Sequence, residues 1–320
     1  MYNITYIGNF WLTKALLMVI YLQMICERGI VMVLSQTIGC VQKFGDFRAV
    51  EMLANAGFDA IDYNLANIAC NKDLQGQAQY KKYCAELLEK ARANDVYFNQ
   101  GHAVTYVACH NGEDESGLLC EANKKAIEIS SLLGIKMLVV HPLSSGNYIG
   151  EEQKTFEMNG EYFKALLPYA EEYGVKLAVE NMWCGNKRKG IRTGSVCSNP
   201  YEHAYYVDYF NNDMLVACLD VGHSSLAGRE AQDCIRVLGK RLQALHIHDN
   251  DYLDDMHTLP GMSEMNWQEI MKALADINYK GDFTFETDHF FDSLETVEEC
   301  ECGLKLAELM GRRLINEFHK

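Results

Sequence analysis

Met214-Leu-Val-Ala-Cys-Leu-Asp-Val-Gly-His223 is an apolar run, Leu215 to Leu219, that stops at a carboxylate and then reaches an imidazole. A continuous apolar run is what a parallel strand buried on both faces requires. An acid at its end needs water, a cation or a proton beside it. The figure recurs on either side: Lys176-Leu-Ala-Val-Glu180-Asn181 upstream, and Gln243-Ala-Leu-His-Ile-His-Asp-Asn250 and Phe283-Thr-Phe-Glu286 downstream.

Working outward from that stretch, eight β-rich runs are expected from Met32 onward, at 33–38, 58–63, 96–104, 136–142, 175–181, 214–221, 243–249 and 282–287. Amphipathic stretches alternate with them, at 47–56, 78–93, 121–133, 162–173, 201–210, 228–238, 266–277 and 293–318. Gly57, Gly134 and Gly174 follow three of these as helix stops. Eight βα units in about 290 residues predict a (β/α)8 TIM barrel as a single α/β domain spanning 32–320. A doubly wound sheet is the alternative, but Gly39-Cys-Val-Gln-Lys-Phe-Gly45 after the first run lacks the dinucleotide-binding spacing.

Composition agrees. The chain has 320 residues, 48% of them hydrophobic, which excludes a disordered protein. Only 4 prolines and no low-complexity run leave no linker. With 29 basic against 44 acidic residues and net charge −15, nucleic acid and anionic membranes are not expected partners. The 12 cysteines are scattered, with Cys300 and Cys302 the one close pair; free thiols in a reducing cytoplasm are expected.

Residues 1–31 read as an extension ahead of the barrel. Their uncharged stretch Ala15–Cys26 is 12 residues, against the roughly 20 that span a bilayer. Lys14 precedes it as in a signal peptide, but no small-x-small site follows before Glu27 and Arg28. A weak signal or anchor and a helix lying on the barrel stay open as readings. The reading taken is a translated leader: Glu27-Arg28-Gly29 can be encoded by a purine-rich ribosome-binding string just ahead of a native start at Met32.

Barrel chemistry collects at the carboxyl ends of the strands. His102, His141, Glu180, Asp220 with His223, His246 and His248, and Glu286 all stand at such ends, and Asp255 and His257 follow in a loop. Three carboxylates, Glu180, Asp220 and Glu286, sharing one mouth need a cation. Mixed carboxylate and imidazole donors suit Mn²⁺, Zn²⁺, Co²⁺ or Fe²⁺ better than Ca²⁺. The rings of His246 and His248 are expected on opposite sides of their strand. His248 is taken to face Glu180 and Glu286, because Asp249 and Asn250 open a polar loop there, and His246 is assigned to the helix layer or a supporting position.

Together, Val179-Glu180-Asn181, Leu219-Asp220-Val221-Gly222-His223, His246-Ile-His-Asp-Asn250, Asp255-Met-His257-Thr-Leu-Pro-Gly261 with Trp267, and Phe285-Glu286 resemble the xylose isomerase-like barrel superfamily. That group includes sugar phosphate isomerases and epimerases and endonuclease IV. The resemblance implies one divalent metal, Mn²⁺, Zn²⁺, Co²⁺ or Mg²⁺, on Glu180, Asp220, His248 and Glu286. It further implies Glu180 and Glu286 as acid and base in proton transfer next to a carbonyl through an enediolate, with His223 on substrate. Endonuclease IV holds three zinc ions with nine residues. Their counterparts by strand position are His102, His141, Glu180, Asp220, His223, His248, Asp255, His257 and Glu286, so His102, His141, His223, Asp255 and His257 are expected on a second metal or on substrate.

The expected function is therefore a metal-dependent sugar or sugar phosphate isomerase or epimerase, cytoplasmic, with a small carbohydrate substrate and homo-oligomers as in relatives. The alternatives are a sugar dehydratase or lyase, a phosphodiester hydrolase, and a binding barrel without activity. The acidic run Asp249-Asn-Asp-Tyr-Leu-Asp-Asp255 would repel a phosphate backbone and argues against the hydrolase. Trp183 is expected to stack on a sugar face. Lys187, Arg188, Lys189 and Arg192 are read as a solvated loop rather than a phosphate clamp, and His289 as near enough to Glu286 to reach substrate.

Overall fold

A computed structural model describes residues 32–105, 115–144, 148–186 and 190–318. Residues 1–31, His110 and the basic Lys187, Arg188 and Lys189 lie outside them. The strands are β1 (Leu34–Thr37), β2 (Ala60–Asn64), β3 (Tyr97–His102), β4 (Met137–Val140), β5 (Lys176–Glu180), β6 (Trp183–Asn186), β7 (Ile191–Gly194), β8 (Leu215–Asp220), β9 (Leu242–His246) and β10 (Phe283–Phe285). Eight of them form one parallel sheet in the order β10-β1-β2-β3-β4-β5-β8-β9. The sheet closes past its last strand: Ile247 bridges Phe285 in parallel, with Ile247 N donating to Thr284 O at 2.9 Å and Glu286 N to Ile247 O at 3.0 Å. This is the TIM barrel expected, and Val33–Lys320 form one unit.

The apolar runs fold this way because every residue of β1, β8 and β10 is buried, so neither face has to meet water. Val139, Ala178, Val216, Cys218 and Ala244 pack together across β4, β5, β8 and β9. Helices fill the outer layer, and Gly57 and Gly174 end two of them in left-handed turns, φ 104° and 64°, that a side chain would strain. No helix among the described residues is long and apolar enough to cross a membrane.

Three differences from the expected elements bear on the site. The helix expected at 162–173 runs Glu152–Tyr173, because buried Asn159 bonds Leu143 N at 2.7 Å and Leu143 O at 2.8 Å and so ties its first turns to the end of β4. The loop after β5 is an antiparallel hairpin, β6 with β7. A short helix, Val221–Leu226, starts directly after β8 and is capped by Asp220, whose Oδ1 accepts from His223 N at 2.6 Å.

Candidate active site at the mouth of the barrel

Glu180 closes β5 with 1% of its surface exposed and is met by imidazoles on both oxygens. Oε1 lies 3.0 Å from His246 Nδ1 and 3.7 Å from His223 Nδ1; Oε2 lies 3.0 Å from His141 Nε2 and 3.7 Å from His102 Nε2. Glu286, one residue past β10, puts Oε2 3.1 Å from the same His246 Nδ1 and 4.0 Å from His257 Nδ1. Asp220, at the end of β8, faces His248 Nε2 at 3.0 Å from Oδ1 and 3.1 Å from Oδ2. Beyond it, Asp255 lies 3.6 Å from His223 Nε2 and 3.3 Å from His257 Nε2. Every metal-ligand candidate from the sequence thus converges on one mouth.

One expectation is overturned. His246 does not face the helix layer; both His246 and His248 are fully buried at the barrel end. The reason is geometric: residues two apart on a strand share a face, so the pair points the same way. His246 stands between Glu180 and Glu286, while its Nε2 reaches Asp62 Oδ2 at 3.3 Å. His248 lies one step out, against Asp220, with its ring stacked on His257 at 3.9 Å.

Asp62 and Gln100 were not among the expected site residues. Gln100 Nε2 donates to Asp62 Oδ2 at 2.9 Å, and the pair holds the far side of His246. An acid inside the apolar strand Ala60-Ile-Asp-Tyr63 was the available signal. Asn181 is a brace as well: its side chain accepts from Asp220 N at 2.8 Å and donates to Asp220 O at 2.9 Å, and its carbonyl meets His223 Nδ1 at 2.9 Å. Gly222 is required where it stands, since a Cβ there would overlap the His248 ring.

Asp249 takes a structural role. Its carboxylate accepts from Gly261 N at 2.7 Å, Met265 N at 3.1 Å and Trp267 Nε1 at 2.8 Å, and so folds the loop that carries Asp255 and His257. His257 is held at φ 40° in that loop, with Nδ1 on Glu286 O at 2.9 Å. Trp183 donates its indole N–H to Asp255 Oδ2 at 3.2 Å, and the guanidinium of Arg192 lies over its ring at 5.7 Å while pairing with Asp254. His289 bonds Asp255 O through Nδ1 at 3.0 Å. His203 is buried behind β5 with Nε2 on Val179 O at 2.8 Å, and burial drives its pKa down to about 4.

Electrostatics follow from this crowding. Burial opposes protonation of His102 and His257, but Glu180 outweighs it for His102 and Asp255 for His257, and both rings are pushed up to about 9. Burial also opposes ionisation of Glu180 and Glu286, yet the surrounding rings, His246 foremost, hold both well below the usual carboxylate range.

The donors fit a cation. Glu180 Oε2, Asp255 Oδ1 and His248 Nδ1 are buried and make no hydrogen bond of good geometry. The ligand atoms of Glu180, Asp220, His246 and Glu286 lie within 4.8 Å of one another, as do those of His102, His141 and Glu180, and of His223, Asp255 and His257. Closely spaced acceptors with unmet lone pairs call for positive charge between them.

Comparison with known proteins agrees with this architecture. Residues 50–305 match the xylose isomerase-like TIM barrel family model. The chain belongs to that family. It is 28% identical over 202 residues, 62% of this chain, to the uncharacterized protein y4fM of Sinorhizobium fredii, and the match spans 61% of that relative. It is 24% identical to the D-psicose 3-epimerase of Enterocloster bolteae over 74% of this chain and 75% of that protein. A crystal structure of the IOLI protein with a binding zinc atom superposes with TM-score 0.69 at 19% identity, over 90% of this chain and 99% of that one. Barrels of this family share the fold, and relatives of this chain include sugar epimerases.

Proposed function

We propose that the barrel of residues 32–320 is a divalent-metal-dependent epimerase or isomerase of a small sugar or sugar phosphate. The observation that carries this reading is the convergence of Glu180 and Glu286 on one nitrogen, His246 Nδ1, at 3.0 and 3.1 Å. Two carboxylates facing a common point can take a proton from one face of a substrate carbon and return one to the other. The cation set we propose is Glu180, Asp220, His246 and Glu286, with His246 in the place expected for His248. His246 is chosen because its ligand atom lies within 4.8 Å of those of Glu180, Asp220 and Glu286, whereas His248 meets Asp220 through Nε2 one step out. Bound there, Mn²⁺, Zn²⁺, Co²⁺ or Mg²⁺ supplies positive charge for an oxyanion that develops next to the abstracted proton. Asp62, 3.3 Å from His246 Nε2, orients that ring; His223, beside Glu180 and Asp255, would meet a substrate hydroxyl. The ten described cysteines form no disulfide with one another, and the enzyme we propose is cytoplasmic.

The test is incubation of the metal-loaded protein with a ketohexose panel in D2O. Deuterium appearing at the carbon next to the carbonyl, and lost in Glu286→Gln, is expected; turnover without exchange at that carbon overturns the mechanism. A second reading, a metal-dependent phosphodiester hydrolase, is favoured by the separate His223–Asp255–His257 group. Elemental analysis of wild type and His257→Ala separates them. One metal unaffected by the substitution supports the epimerase, and two or three that fall with it support the hydrolase.

A further inference from the structure

The end of the barrel opposite the mouth holds a cavity of about 580 Å³, walled by the turns that lead into the strands. Around it stand Asn99 of β3, Lys136 just ahead of β4, Lys240 and Gln243 at the start of β9, and Lys280 and Asp282 in the turn before β10. That volume suits a small-molecule ligand.

Its charge is opposite to the rest of the molecule. In a chain of net charge −15, three lysines line one cavity with a single aspartate. Of the other described lysines, Lys81, Lys82, Lys90, Lys124, Lys154, Lys164, Lys272 and Lys305 each pair with a glutamate, while Lys43 and Lys125 bond backbone carbonyls. Lys136, Lys240 and Lys280 have no carboxylate within 4 Å among the described residues. Lys240 bears on Asp208 only at longer range, where Arg241 is the direct partner. The one acid of the cavity is fixed in place: Asp282 Oδ2 accepts from Asn99 Nδ2 at 2.8 Å, and Ser35 Oγ donates to Asn99 Oδ1 at 2.8 Å. Lys176 Nζ, 2.8 Å from Gln243 Oε1, brings a fourth ammonium up behind the wall.

The wall is built rather than loose. A Cβ at Gly281 would run into the Gln243 carbonyl and the Tyr279 hydroxyl, so the turn before β10 wraps closely onto the start of β9. Gly239 turns at φ 54° and ψ −129°, a conformation that suits glycine, and sets Lys240 at the rim.

We propose that this floor cavity binds a phosphorylated small molecule, its phosphate held by Lys136, Lys240 and Lys280. A phosphate monoester carries close to two negative charges and several acceptor oxygens, and the compact, multiply donating ammonium of lysine meets such a group from several directions. The amides of Asn99 and Gln243 line the same space and offer polar partners to the rest of the ligand. The site is at the other end of the strands from Glu180 and Glu286, so it stands whether or not the sugar reaction does.

The test is calorimetric titration of the full chain with inorganic phosphate and glycerol 3-phosphate, with glycerol as the neutral control. Saturable one-to-one binding is expected for both phosphates and none for glycerol. Replacing all three lysines by alanine is expected to weaken binding by about tenfold or more, and replacing them by arginine, which keeps the charge, by less than about threefold. The pair Glu180→Gln and Glu286→Gln leaves the floor affinity unchanged. Absence of saturable binding, equal affinity in the triple alanine variant, or loss of binding in the glutamate variant would each overturn the proposal, the last by placing the phosphate at the mouth.

Discussion

The two ends of this barrel show how differently one fold can handle charge. At the mouth, Glu180, Asp220, His246 and His248 are at most 1% exposed and face one another together with His102, His141, His223, Asp62 and Glu286. At the floor, Lys136, Lys240 and Lys280 stand exposed on turns, solvated and without acid partners within ion-pair distance among the described residues. Buried groups with unmet lone pairs demand a partner in low dielectric; solvated groups can wait for one. The mouth is therefore where we propose the chemistry, and the binding proposed at the floor would be reversible and electrostatic.

The sharpest way to break this contrast is to remove charge at the mouth. Glu286→Gln keeps the shape of the side chain but takes away a base, and turnover on an accepted ketose should fall by roughly 10²- to 10⁴-fold with the melting temperature little changed. An equal loss from the triple lysine variant at the floor would collapse the distinction. Gly222→Ala comes next. Its methyl must displace the His248 ring, and a stability loss of about 1–3 kcal/mol, read by urea unfolding, should accompany weakened metal retention.

The metal-free protein should also differ between ends in its response to pH. The pKa values of His102 and His257 are raised to about 9 in the fold, above the ordinary imidazole value of about 6.5. Stability from these rings is fully present below about pH 6.5 and is lost as the pH climbs toward 9. Melting temperatures in chelator should decline across that window, and a flat profile would show that the imidazoles are not balancing the carboxylates. Metal-loaded protein should decline less. The smallest effect is expected for Trp183→Phe, which deletes one hydrogen bond to Asp255 and should cost about 1 kcal/mol, read as a modest fall in melting temperature.

Much of this was legible in one dimension because the barrel repeats a simple rule. Leu215–Leu219 and Leu177–Val179 are apolar without alternation, so they had to be interior strands, and whatever polar residue followed had to stand at a strand end. That logic alone located Glu180, Asp220 and Glu286. It also located His102 and His141, now seen within reach of Glu180, and His223, Asp255 and His257, now seen as a separate group.

Pairing between distant residues lay beyond it. Asp62 comes to His246 from 184 residues away, and Gln100 to Asp62 from 38, and no local pattern encodes either meeting. Nor does a local pattern show that Asp249 gathers the backbone of residues 261–265 or that Trp183 belongs to Asp255. The helix starting at Glu152 is a tertiary decision too, made by Asn159 bonding back to Leu143 across 16 residues. Local apolar pattern determined the strands and hence which residues reach the mouth, because burial is a property each segment carries with it. Which of them touch was decided only when eight strands closed, because hydrogen bonds and ion pairs exist only between groups the fold has already brought together.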